Sequence, residues 1–179
     1  MMDWCKASIP AKSLVLRPVQ LRDAAFIHNL YSDWRVAEKL NRIPVPFTLA
    51  EAEGLVSLWL SEAERAITCM FVGERTGSAK VGVVSLHHGQ DQPEARIGVV
   101  GYSILPEFWA QGYATEMVGS MVDLADRAGF QSLQASTLVS NAASRRVLEK
   151  LDFELSESSF MEESLHSPPR EHCKYLRRL

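Results

Sequence analysis

Between Ala95 and Glu116 the chain changes character within a few residues, and that change restricts the possible folds more than any other feature. A β-type run, Ala95 to Leu105, stops at Pro106. A short turn through Phe108, Trp109, Ala110 and Gln111 leads to Gly112, and a helix-forming stretch opens directly behind it. A strand, a loop and a helix start in that order aim several backbone N–H groups, with the positive end of a helix dipole, at one spot. Such a spot suits a phosphate or pyrophosphate. A second segment of the same kind of interest runs from Asn141 to Phe153, where Asn141 reads as the N-cap of a helix reaching about Leu151.

The remaining elements follow from periodicity. Leu14-Val15-Leu16-Arg17 reads as a strand stopped by Pro18. Arg22 to Tyr31 reads as a helix with Ala25, Phe26, Leu30 and Tyr31 on one face. Asn41 to Phe47 holds two prolines and is a loop. Thr48 with Glu51 makes a capping box for a helix to about Arg65, striped with Ala52, Leu55, Val56, Trp59 and Leu60. Ile67–Val72 and Ala79–His87 form a hairpin turned at residues 74–78. Gly98 and Gly101 invite a bulge in the next strand. Met117, Met121, Val122 and Ala125 recur at helical spacing in a helix from Tyr113 to Ala128, with Gly129 as its C-terminal cap. Leu133–Val139 is a short strand. Ser156 to Pro169 is rich in Ser, Glu and Pro and reads as a long loop with room for one strand, and Glu171–Arg178 closes the sheet. The order β-α-α-β-β-β-α-β-α-β-β describes an α/β (α+β) domain over residues 1–179, with a mixed sheet of about seven strands and helices on both faces.

Bulk properties exclude several classes of function. With 46% hydrophobic and 23% charged residues the chain reads as one soluble globular domain. A formal net charge of −3 gives no electrostatic case for nucleic acid. No apolar run approaches the roughly 18 residues of a membrane span, and Met1–Pro10 lacks the apolar core of a signal peptide. Cys5, Cys69 and Cys173 form no CxxC, so a reduced, cytoplasmic setting is the simplest expectation. His87-His88 has no second ligand pair at a metal-binding spacing, and no metal is expected.

Gly101-Tyr102, Trp109-Ala110-Gln111-Gly112-Tyr113-Ala114-Thr115-Glu116 and the helix carrying Asn141, Ser144, Leu148-Glu149-Lys150-Leu151 and Phe153 together resemble the GNAT N-acetyltransferase superfamily. Within it the chain looks most like the RimJ/RimL-type branch of ribosomal-protein N-terminal acetyltransferases. The resemblance implies a mostly antiparallel sheet splayed in the middle, with acetyl-CoA lying between the strand ending at Leu105 and the one ending at Val139. It places the pyrophosphate on the amides of Gln111, Gly112, Tyr113, Ala114 and Thr115. The backbone of Ile104 and Leu105 would pair with the pantetheine arm. Asn141 would bond or support that arm, and Arg146 would reach a coenzyme phosphate. Two positions depart from the superfamily's pattern. Trp109 opens the loop where Gln or Arg is frequent, and Leu148 stands where many members carry a Tyr that protonates the leaving thiolate.

Loss of that Tyr makes Ser144, one turn earlier on the same helix face, the substitute acid. For the base the candidates are Glu162 or Glu163, with Glu163 favoured by its distance from Phe153, and Tyr102 acting through a water. Each has a plainer reading: a solvated acidic loop for the glutamates, a half-buried strand aromatic for Tyr102, a helix N-terminus for Ser144. The acceptor implied is a primary amine, either a protein N-terminus or a small molecule. The enzyme would be a monomer or homodimer with no nucleic-acid or membrane partner. The alternative from another class is a non-catalytic acyl-CoA sensor or partner-binding module on the same scaffold.

Overall fold

Leu14 and Leu16 alternate with Val15 and Arg17, a period of two that gives a strand one apolar face. The computed structural model describes residues 4–75, 79–89 and 96–179. There this strand is β2 (Leu14–Pro18), beside the two-residue β1 (Ile9–Pro10). The rest of the sheet is β3 (Thr68–Arg75), β4 (Lys80–His88), β5 (Ile97–Ile104), β6 (Ser132–Leu138), β7 (Glu154–Glu162) and β8 (Arg170–Arg178). Their order is β1-β2-β3-β4-β5-β6-β8-β7, and β5–β6 is the parallel pair in an otherwise antiparallel sheet. The hairpin turn expected at residues 74–78 falls partly outside the described residues, as does Ala95.

The helices are α1 (Ala24–Ser32), α2 (Trp34–Ala37), α3 (Leu49–Glu64), α4 (Tyr113–Ala128) and α5 (Ala142–Glu149). Alternation along β3 divides them between two layers. Cys69 and Phe71 pack into the cluster holding Met117, Met121 and Leu148 of α4 and α5. Met70 and Val72 pack into the cluster holding Ile27, Leu30, Ala52 and Val56 of α1 and α3. The caps form as their residue types dictate. Thr48 and Glu51 close a reciprocal box, and Asn141 accepts from the Ser144 N–H. Among the described residues no helix is long and apolar enough to cross a membrane.

Several expectations are corrected. The sheet of about seven strands is present, with eight strands among the described residues once the short edge strand β1 is included. The buried face of α1 is Ala24, Ile27, Leu30 and Tyr31, while Ala25 is exposed. Leu30 and Tyr31 are buried as expected and Phe26 packs at the edge of the cluster, while contact with α3 brings in Ala24 and Ile27 in place of Ala25. No bulge forms at Gly98 or Gly101, since the β4–β5 register runs unbroken from Gly82↔Ile104 to His88↔Gly98. Gly98 is needed for space instead: a Cβ there would come within 2.6 Å of Leu133. The strand for which the expected loop at 156–169 left room is nine residues long and takes up residues 156–162 of it. β7 is the outermost strand and mostly exposed on both faces, so it has no apolar alternation to read, and its charges blunt an open edge. Cys5 and Cys69 form a disulfide, with Cα atoms 5.0 Å apart and a sequence separation of 64. Only Cys173 is free, and it is buried. Asp152 takes a left-handed φ of 58° directly after α5, at the helix exit.

Candidate active site

β5 and β6 pair through three residue pairs only, Ile97↔Ser132 to Val99↔Gln134. Past that seam β5 continues along β4 to Ile104, and β6 continues along β8 to Leu138. The strands diverge, and a cleft of about 630 Å³ opens between them. The Leu105 N–H donates to the Val81 carbonyl at 2.9 Å, which fixes the phase of the ladder. The backbone groups of Ser103 and Leu105 therefore face β4, while those of Tyr102 and Ile104 face the cleft. Trp109 Nε1 donates to the Ile104 carbonyl at 2.7 Å, occupying one of these groups. Ile104 lines the cleft. Leu105 does not: its side chain is buried with Val83 and Phe108 in the cluster under α1 and α3.

The N-terminus of α4 closes one end of the cleft. Gly112 is its N-cap with φ +87°, and no side chain caps the helix. A Cβ at Gly112 would meet nothing within 4 Å, so the backbone conformation, and not crowding, is what calls for glycine. Ala110 is also left-handed, at φ 58°. The intrahelical ladder begins where the Glu116 N–H donates to the Gly112 carbonyl. The N–H groups of Tyr113, Ala114 and Thr115 thus precede the ladder. These three residues line the cleft with Gly112 and Ala110. Gln111 does not line it, and its side chain folds back to donate to the Glu107 carbonyl at 2.8 Å. Arg146 of α5, Lys150 directly after it and Lys39, beyond α2, are the charged lining residues, with no carboxylate among them. Glu116 faces away, and its carboxylate accepts from the Ser13 and Leu14 N–H groups and from the Ser13 hydroxyl.

At the centre of the cleft Tyr102 Oη and Ser144 Oγ are 2.7 Å apart, joining β5 to the first turn of α5. Burial pushes the phenol up to about 12, against a smaller opposing effect of the Ser144 bond. Tyr102 therefore keeps its proton at neutral pH and suits the role of an acid rather than a base. Asn141 lines the cleft and orders this turn through the Ser144 N–H at 3.2 Å. Leu148 is fully buried in the core.

Glu163 is exposed, one residue past β7, and does not line the cleft. Its neighbour Glu162 lies 3.5 Å from His172 Nδ1, and His172 does line the cleft. His172 Nε2 is 2.8 Å from Asn41 Nδ2. Burial lowers the His172 pKa, Glu162 opposes that and Arg170 adds to it. His172, Asn41 and Lys39 were not among the residues singled out from sequence. The one available signal was His172 beside Cys173 in a strand whose alternation otherwise runs Cys173, Tyr175: two consecutive buried residues place one of them on the opposite face. His87 and His88 pack as ordinary side chains, His88 against Phe130 and Trp4. Among the described residues no group of three or more His, Cys, Asp or Glu is placed to hold a metal.

A family model described as the acetyltransferase (GNAT) domain matches residues 13–154. No curated protein sequence matches the chain. Among solved structures, the ribosomal alpha-N-protein acetyltransferase RimL in complex with coenzyme A superposes with a TM-score of 0.83 at 20% identity, covering 97% of this chain and 98% of that one. The Salmonella typhimurium acetyl transferase that modifies the N-terminal serine of a 50S ribosomal subunit protein gives 0.83 at 19% identity, covering 97% and 99%. Mycobacterium smegmatis RimJ in complex with CoA-disulfide gives 0.79 at 19% identity, covering 98% and 88%.

Proposed function

Because this chain belongs to the acetyltransferase (GNAT) domain family, we propose that it is an acetyl-CoA-dependent N-acetyltransferase acting on a primary amine by direct attack in a ternary complex. One acetyltransferase domain over residues 1–179 accounts for the reading, since β7 and β8, which lie mostly beyond the matched region, complete the same sheet. The observation that carries the proposal is the uncapped N-terminus of α4 opening into the gap between β5 and β6. The donor set fits the coenzyme. Free N–H groups at Tyr113, Ala114 and Thr115 suit a pyrophosphate. Arg146 and Lys150 suit further phosphate charge. The β5 edge left open at the Tyr102 backbone and the Ile104 N–H suits the amides of a pantetheine arm, as an added strand would.

This chain's residues then divide the chemistry. An N–H on the open β5 edge meets the developing oxyanion of the thioester carbonyl. The Ser144 hydroxyl, bonded to the protonated Tyr102, delivers a proton to the departing sulfur, and the proton lost by the attacking nitrogen restores the balance. As acceptor we favour a protein N-terminal amine. Its pKa of about 7.7–8.0 leaves a useful neutral fraction near pH 7, whereas a lysine at about 10.4 would need a strong base. The lining offers no carboxylate to hold a polycation, and the RimL and RimJ structures share the fold.

The test is coenzyme A release, followed with a thiol reagent, over N-terminal peptides and small amines, with products identified by mass spectrometry. Acetylated peptide is the expected product. Tight acetyl-CoA binding without turnover on any acceptor would instead establish a sensor.

A further inference from the structure

We propose that Lys39, with Arg170 behind it, selects acceptors that carry an acidic side chain directly after the residue bearing the amine. This selectivity rests on the acetyltransferase reading and names the class of N-terminus that the cleft admits. A second cavity of about 380 Å³ opens beside the cleft, and the two share Lys39, Asn141 and Ala143 in their linings. Lys39 therefore stands where one space passes into the other. Arg170, the first residue of β8, and Glu38 line the second cavity beyond it.

Two contacts fix how far Lys39 stands from the chemistry. Its Nζ lies 5.7 Å from the centroid of the Trp109 ring, and Trp109 Nε1 donates to the Ile104 carbonyl at 2.7 Å. One indole ring thus separates the ammonium from the β5 edge that meets the thioester carbonyl in the proposed reaction. An acceptor whose nitrogen reaches that carbonyl brings its next side chain towards Lys39.

Charge decides which side chain is welcome there. The two cavities together are lined by Lys39, Arg146, Lys150 and Arg170 against one carboxylate, Glu38. Arg146 and Lys150 stand at α5 and are answered by coenzyme phosphate. Glu38 Oε1 already pairs with Lys39 Nζ at 2.7 Å. Among the described residues Arg170 forms no ion pair, and its guanidinium donates to the Glu38 carbonyl. Burial lowers the His172 pKa and the Arg170 charge adds to it against Glu162, so that charge is felt at the wall of the cleft. The balance on the acceptor side is positive. It attracts a carboxylate beside the amine and repels a second ammonium. The same cations favour the neutral, attacking form of the amine itself.

The test uses the full-length protein and three peptides that differ only in their second residue, beginning Ser-Asp, Ser-Ala and Ser-Lys. The acidic peptide should exceed the basic one in kcat/KM by about tenfold, because an attraction is exchanged for a repulsion. High salt should narrow that ratio. Lys39→Glu should invert the order and Lys39→Arg should keep it, both with acetyl-CoA Kd and melting temperature near wild type. Arg170→Gln, which retains a donor for the Glu38 carbonyl, should narrow the ratio without inverting it. Equal rates on the three peptides, or a Lys39→Glu variant that keeps the wild-type order, overturns the selectivity. So does a Lys39→Glu variant whose only defect is weaker acetyl-CoA binding, since that assigns Lys39 to the coenzyme. If no peptide releases coenzyme A, the acetyltransferase reading fails separately. Calorimetric binding of the acidic and basic peptides to the acetyl-CoA complex then decides, and equal affinities overturn the selectivity.

Discussion

Tyr102 Oη lies 2.7 Å from Ser144 Oγ, so two hydroxyls from β5 and α5 share one hydrogen bond in the middle of the cleft. Neither side chain alone is an obvious acid. Together they place a protonated phenol behind a small hydroxyl donor. Removing either should slow turnover by on the order of 10²-fold, the lower range for general acid catalysis. The measurement is kcat and acetyl-CoA Kd for Ser144→Ala and Tyr102→Phe, singly and combined. A shared role requires the double variant to be little worse than either single one, with Kd unchanged.

Gly112 separates backbone strain from charge. At φ +87° with open space around the position, Gly112→Ala should lose about 1 kcal/mol of stability and little coenzyme affinity. Gly112→Asp adds a carboxylate beside the free N–H groups and should weaken acetyl-CoA binding severely. Calorimetric titration of both variants decides the point. Equal affinities would remove the phosphate from this loop.

Asp23 is fully buried and accepts from Arg17, Lys80 and the Gln20 N–H. Burial pushes its carboxyl up, but those bonds outweigh it and hold the pKa at about 2, below its ordinary value near 3.8. A depressed folded pKa contributes stability that is present above the unfolded value and is lost as pH falls towards 2. Asp23→Asn should therefore cost about 3–5 kcal/mol at neutral pH, as for a broken buried pair. The difference from wild type should shrink between pH 4 and about 2 in denaturant titrations. A gap independent of pH would mean that the charge is not what matters.

Glu116 fastens the start of β2 to the first turn of α4 through three bonds involving Ser13 and Leu14. A helix-dipole role alone would make its loss nearly silent. The clamp instead predicts that Glu116→Ala lowers stability by about 1.5–3 kcal/mol, a typical worth for hydrogen bonds to a charged group. Thermal unfolding of Glu116→Ala beside Glu116→Asp checks it.

Features set by neighbours in sequence were legible. The Thr48–Glu51 box, the Asn141 cap, the Met117, Met121, Val122 and Ala125 stripe and the turn at Gly112 each depend on residues within a few positions of one another. Tyr102, Ile104, Gly112–Thr115, Asn141, Ser144 and Arg146 all line the cleft, and the sequence could single them out for the same reason: they flank a strand end and two helix starts. At α1 it found Leu30 and Tyr31 but not Ala24 and Ile27, because the start of the stripe depends on what packs over it. It left room for a strand between Ser156 and Pro169 but could not give the bounds of β7, because an outer edge strand of glutamate and serine carries no hydrophobic period.

By itself, then, the sequence determined where strands end and helices begin around the cleft, since caps, turns and periodicity are local properties of the backbone. Tertiary structure alone decided which groups meet. Ladder phase turned Leu105 away while Ile104 faced the gap. Pairing of β7 with β8 brought Glu162, and not Glu163, to His172, and a loop more than a hundred residues upstream supplied Asn41. Such meetings depend on register and on contacts between distant segments, and a one-residue shift in a strand sends its side chains to the opposite face.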